Sequence, residues 1–311
     1  MPALTPIGVI AGLLLGSRIV SLTSLTPALF ITVTFIGGLG ISTAEFAAVI
    51  KRPKALLVFL LGSLVIMPVV AWLFASVAFR SDPEVRIGFI LLTAIPTAIT
   101  GYLWSSIHKG NEPLSLTIIL IGTLVAPLTT VWLIQLLGGV SVAIDSRSMM
   151  ASLFSLVVIP TAAGSAINTI SHGTVTKSIA PSLKPFSKIA LVLIVVINTA
   201  SVSEQLLASL SWSYLGIALS SLALAVSGYL IASVVARLFR FGREETVSLT
   251  FAIAMRNISA SLVLAIQYFP PATALPIIFG IVFQQSTAAF MANVLWSPSR
   301  YQTLLAKEQP S

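Results

Sequence analysis

Phe251-Ala-Ile-Ala-Met-Arg-Asn-Ile-Ser-Ala-Ser261 sets one guanidinium, Arg256, in the middle of an apolar run. In a bilayer core an ionisable side chain costs at least about 2.5 kcal/mol by insertion scales, so it is kept where it faces a cavity, a partner or a ligand. The surrounding chain decides whether this run lies in a membrane. Its 311 residues are 57% hydrophobic and 8% charged, against roughly 25% charged in an ordinary soluble domain. The sequence therefore reads as a polytopic, all-α membrane protein with a single transmembrane domain over residues 1–311 and no room for a soluble one.

Moving outward with a window of about 20 residues, ten apolar segments lie near 4–20, 25–43, 55–79, 87–107, 113–138, 148–170, 186–203, 212–236, 246–267 and 272–296. The start, Met1-Pro-Ala-Leu-Thr-Pro6, has no basic n-region, so the first segment reads as a retained span. With a cytoplasmic N-terminus, the inner connections and tail hold Lys51, Arg52, Lys54, Lys109, Lys177, Lys184, Lys188, Arg237, Arg240, Arg243, Arg300 and Lys307. The outer connections hold only Arg18, Arg80, Arg86 and Arg147. That bias follows the positive-inside rule and predicts an inner-membrane protein with both termini cytoplasmic. It also accounts for the net charge of +8 without nucleic acid as a partner, because the excess faces anionic lipid.

Ten spans divide into two halves of five, near 1–140 and 145–298, and an odd number per half inverts the second relative to the first. In the fourth segment Pro96 is followed by Thr97, Thr100 and Gly101; in the ninth, Met255-Arg256-Asn257 and then Ser259 and Ser261 interrupt the apolar run. Such broken backbone at membrane depth is tolerated only against protein or a cavity. The expected architecture is two inverted repeats whose fourth and ninth helices are broken and cross near the midplane. The helix N-termini after the breaks would aim donors at an anion. Pro68, Pro127, Pro160 and Pro276 read as ordinary kinks. Gln135, Asn168, Asn198, Gln284 and Asn293 read as interhelical hydrogen-bonding groups. Glu45 and Glu204 read as interfacial, and His108 and His172 as solvated connections.

The strings Gly38-Leu-Gly-Ile-Ser42, Lys51-Arg-Pro-Lys54 and Ile66-Met-Pro68 resemble the second and third spans of the bile acid:sodium symporter family. Ile87-Gly-Phe-Ile-Leu91 through Pro96, Lys109-Gly-Asn111 with Leu114-Ser115, and Ala126-Pro-Leu128 resemble its fourth and fifth. Ala254-Met-Arg-Asn257 resembles its ninth-span Gly-Met-Gln-Asn signature. The resemblance implies ten spans, a core and a panel subdomain, and transport of an organic anion, usually driven by sodium.

The same resemblance marks departures. The family's sodium-ligand glutamate, three residues before the signature methionine, falls on Ala252, and the signature glutamine falls on Arg256. The span-three glutamine falls on Ser63, the Ser-Asn pair of the broken fourth helix on Gly101-Tyr102, and a span-five threonine on Ile119. Ser115 and Asn257 are kept. A sodium site needs several hard oxygen ligands, and a guanidinium among them repels the ion. Two family-type sodium sites are thus not expected, and no other cofactor or metal is.

Arg256 has three readings: a tethered cation in place of the ion, a direct contact to the substrate, or a structural residue bonded to carbonyls freed by the broken helices. The first two make Arg256, Asn257, Thr97, Thr100 and Gly101 substrate-binding candidates, with Ser63, Ser115 and Met255 as remnants of the ion region. No His-Glu-x-x-His, intramembrane aspartate pair or Ser-His dyad supports an enzyme. A channel would need a row of pore charges where one is present. A membrane ligand sensor or channel that has lost coupled transport stays as the alternative to a secondary transporter of a bile-acid-like or small carboxylate anion. Substrate identity and oligomeric state have no signature in the sequence.

Overall fold

The computed structural model describes residues 4–40, 53–95, 97, 99–138, 145–201, 203–204 and 212–296. Pro96, Ile41, Ser42, Glu45, Lys51, Arg52, Arg300 and Lys307 lie outside them. Among the described residues every regular element is helical, as apolar runs in lipid require, because a helix satisfies its own backbone. In chain order these are α1 Leu4–Leu15, α2 Thr26–Gly38, α3 Pro53–Ala78, α4 Pro83–Ala94, α5 Ile99–Ile107, α6 Glu112–Gly138 and α7 Ser146–Ile170. After them come α8 Thr174–Ser178, α9 Ala180–Ser201, α10 Trp212–Leu238, α11 Arg243–Ala254, α12 Ile258–Tyr268 and α13 Ala274–Trp296.

Seven helical stretches among the described residues are long and apolar enough to cross a membrane. The first two expected segments fall in one helical run, Ile7–Gly38, because a 3₁₀ stretch, Gly16–Leu25, joins α1 to α2 without a loop. The fourth is divided into α4 and α5, neither of which is span length. The seventh lies in α9, whose apolar part, Pro185–Ser201, is shorter than a full crossing.

Two helices carry a π-helical turn just before a proline. In α3 it is Leu61–Ile66, and the Met67 N–H reaches the Gly62 carbonyl. The next residue, Pro68, has no N–H, so both the α-type and the π-type donor for the Ser63 carbonyl are lost. In α7 it is Phe154–Val158, with the Ile159 N–H on Phe154, and Pro160 cannot make the α-type bond to Leu156. Pro68 and Pro160 thus free specific carbonyls. Pro127, by contrast, lies inside a continuous α6, and Pro276 in the first turn of α13, where a missing N–H breaks nothing.

The helices pack in two groups. One contains α1, α2, α7 and α9; the other contains α3, α4, α5, α6, α10, α11, α12 and α13. They meet where α6 touches α7, α1 touches α13, and α2 and α9 touch α12. Within the smaller group α2 and α7 lie backbone on backbone. A Cβ on Gly38 would collide with the Thr161 carbonyl, and one on Gly164 with the Phe35 carbonyl. Gln135 donates to Ser146 at 2.6 Å, and Asn198 accepts from Thr26 at 3.2 Å, both between helices as their positions suggested.

Candidate functional site

Both interruptions are built from extended backbone. Ile95 ends α4 at φ −82°, ψ 126°, and Met255 ends α11 at φ −90°, ψ 131°. Asn257 then caps α12, its Oδ1 accepting the Ala260 N–H at 3.3 Å. The first half of each pair packs on the second half of the other, α4 on α12 and α5 on α11. Ser261 Oγ donates to the Leu91 carbonyl at 3.0 Å, and Thr130 Oγ1 to the Ala94 carbonyl at 3.2 Å. Hydroxyls thereby serve carbonyls near the end of α4.

Arg256 is 3% exposed. Its backbone N–H donates to Gln284 Oε1 at 2.9 Å. One terminal nitrogen, Nη1, donates to the Ser63 carbonyl at 3.1 Å and to Ser63 Oγ at 2.6 Å. The carbonyl it finds is the one freed by the π-helical turn and Pro68 in α3. The structural reading of Arg256 expected carbonyls of the broken helices, and the geometry corrects the donor-acceptor pair. The other edge, Nε and Nη2, has no partner among the described residues.

Arg256 lines a cavity of about 1040 Å³ of open space between the two helix groups. Thr97, Thr100 and Asn257 line it as well, so four of the five substrate-binding candidates are brought together. The smaller group contributes an apolar wall that includes Phe30, Val33, Val157, Leu191 and Val195, with Thr34 and Thr161 among them. The opposite wall carries Thr123, Ser259, Gln284 and Gln285. No carboxylate lines it among the described residues. The chemistry offered is one fixed positive charge, several hydroxyl and amide groups, and a broad apolar face.

The remaining candidates lie elsewhere. Gly101 is not on the cavity; it lets α5 approach α11, since a Cβ there would sit 3.3 Å from the Phe251 carbonyl. Met255 is fully buried in an apolar cluster with Tyr229, Val247 and Phe251. Ser115 belongs to a separate hydroxyl group, with Ser105 Oγ 2.9 Å from both Ser115 Oγ and Ser248 Oγ. Ser63 and Ser115 thus do not share one site. His108, in the turn after α5, is half-buried: it stacks on Trp104 at 6.1 Å and on Phe251 at 5.9 Å. Burial, then the charge of Arg243, holds its imidazole below the ordinary value.

Gln284 was expected to bond between helices, and it does, but its place on the cavity wall was not foreseen. Neither was that of Gln285, whose Oε1 accepts from Trp104 Nε1 at 2.9 Å. Both follow an apolar run in α13, and the signal that could have found them is two adjacent amides within a membrane span.

A model of the sodium bile acid symporter family matches residues 26–209. The chain belongs to this family. It is 34% identical over 295 residues to the uncharacterised protein YbaS of Bacillus subtilis (strain 168), covering 95% of this chain and 96% of that one. It is 25% identical to an uncharacterised sodium-dependent transporter of the same organism, YocS, over 84% of this chain and 79% of that protein. It is 24% identical to the probable sodium/metabolite cotransporter BASS1, chloroplastic, of Arabidopsis thaliana, over 94% of this chain and 72% of that one. Family and relatives are transporters and not enzymes, and this symporter-family chain is an integral membrane protein.

Proposed function

We propose that this chain is a secondary active transporter of an organic anion that works by alternating access and has lost classical sodium coupling. The observation that carries the proposal is the contact of Arg256 Nη1 with both oxygens of Ser63, at two positions where the family resemblance puts sodium ligands. A guanidinium donor takes up oxygen acceptors that would otherwise face a cation, and its charge repels one. The unpartnered edge of the same group is then available to a carboxylate, in the bidentate geometry that suits arginine. One side chain would both replace the ion and hold the substrate.

The cavity between the helix groups is where alternating access places a substrate. In this reading α4/α5 and α11/α12 are the broken fourth and ninth members of two inverted five-span halves. The larger group is the core that moves against the smaller one. The anion rests on Arg256, Thr97, Thr100 and Asn257, and its apolar body on Val33, Val157 and Val195.

The test is uptake and counterflow of a panel of labelled organic anions in proteoliposomes, with sodium and proton gradients imposed separately. Saturable exchange that ignores sodium is expected. A steep, sigmoidal dependence on sodium would sink the loss of coupling, and binding without flux would turn the reading to a sensor. Replacing Arg256 by Gln and Ala252 by Glu together restores the two family residue types of the ninth span, and transport by that variant is expected to respond to sodium.

A further inference from the structure

A second, smaller cavity adjoins the first and shares Arg256, Ile258 and Gln284 with it. Its wall comes from α3, α4, α10, α11, α12 and α13 and the break before α12, all in the larger helix group. Its polar members are Arg256, Gln284, Tyr229, Thr93 and Ser221. Thr93 and Ser221 spend their hydroxyl hydrogens on backbone carbonyls, those of Ile90 at 3.0 Å and Pro276 at 3.2 Å. The other three are donors with capacity left. Tyr229, 1% exposed, has a hydroxyl with no partner, and Arg256 has Nε and Nη2 with none. Gln284 has given its oxygen to the Arg256 N–H, which leaves its NH₂ group.

A buried charge without a counter-charge costs several kcal/mol, and an unserved buried hydroxyl roughly 1–3 kcal/mol. No carboxylate lines this cavity among the described residues. One small anion would relieve both costs together. Ile258, the first residue of α12, also lines the cavity, so the partial positive end of that helix is adjacent. The remaining wall, with Met67, Leu92 and Leu224, offers nothing to the several oxygens of a phosphate, and favours a compact monovalent ion.

We infer that this inner cavity binds a halide-sized monovalent anion, chloride under ordinary conditions, held by Arg256, Tyr229 and Gln284. The anion takes the same Nε and Nη2 edge of Arg256 that the transport reading gives to a carboxylate, so the two compete for it. The inference concerns static binding and stands whether or not the transport reading does.

The experiment follows thermal unfolding of the full-length protein in detergent by tryptophan fluorescence, in sodium-free N-methylglucamine salts. Gluconate is replaced stepwise by chloride or bromide at constant ionic strength. A saturable rise in unfolding temperature is expected, because a ligand bound only by the folded state stabilises it. Tyr229→Phe should raise the half-saturating halide concentration roughly tenfold, the weight of one hydrogen bond to a charged group. Arg256→Gln should remove the response; if that variant does not fold, Tyr229→Phe decides alone. An unfolding temperature that is the same in every anion would mean the cavity holds only water, and the inference fails. It fails equally if Tyr229→Phe keeps the wild-type halide response, which would place the anion elsewhere.

Discussion

The two π-helical turns, Leu61–Ile66 and Phe154–Val158, are made the same way and used differently. Pro68 leaves the Ser63 carbonyl in α3 without its α- and π-type donors, and Pro160 takes the α-type donor from the Leu156 carbonyl in α7. The Thr34 hydroxyl, 2.5 Å from the Phe30 carbonyl of its own helix, also reaches the Leu156 carbonyl at 2.8 Å, a neutral contact between α2 and α7 inside one helix group. The Ser63 carbonyl is taken by Arg256, which has further donors to spare. The same backbone device thus serves packing in one place and holds a charge at a cavity in the other. What separates them is the partner that reaches across.

The comparison breaks most visibly at Arg256. Arg256→Ala should weaken apparent substrate affinity about a hundredfold or more, the scale of truncating a buried, hydrogen-bonded charge. Arg256→Lys keeps the charge without the fork and should lose roughly tenfold. Substrate kinetics in proteoliposomes measure both, and Arg256→Ala protein that folds and transports with wild-type affinity would make the residue purely structural. A smaller effect should separate the two prolines. Pro68→Ala restores an N–H that competes with Arg256 for the Ser63 carbonyl, and a loss of affinity of about three- to tenfold is expected, the weight of a modest hydrogen bond. Pro160→Ala should leave transport unchanged in the same assay, and equal losses in both would erase the distinction drawn here. The smallest effect belongs to Thr34→Val, which leaves the Leu156 carbonyl unserved. It should cost about 1–3 kcal/mol of stability, read as a lowered unfolding temperature.

Arg256 was legible because a single charge in an apolar run has few explanations, and the breaks were legible because polar residues cluster where helix propensity fails. Its partner Ser63, 193 positions away, was marked only by the resemblance; no local pattern in Leu61–Ile66 announces a π-helical turn. Ten segments were read and seven full-length spans stand among the described residues: the first two segments run together through the 3₁₀ stretch Gly16–Leu25, the fourth is divided at its break, and the apolar part of the seventh is short of a crossing. Gly101 lies off the cavity, against the carbonyl of Phe251, and a glycine beside threonines looks the same in sequence whether it admits a ligand or a backbone. The stack on His108 was half legible: Trp104 is four residues before it, but Phe251 and Trp296 come from α11 and α13, and residues so far apart in the chain leave no local trace.

The contact of α2 with α7 through Gly38 and Gly164 has a mechanical meaning. Two backbones in direct touch have no layer of side chains between them to shear or re-pack, and close-packed interiors transmit strain with little give. A tilt of one helix is handed on to the other almost undiminished. The apolar wall they share, from Val33 to Thr161, therefore behaves as a stiff plate, and a cargo must fit its relief as given. Compliance is left to the opposite side, where Thr97, Arg256 and Asn257 stand at the helix breaks and the long side chains of Gln284 and Gln285 reach in from α13.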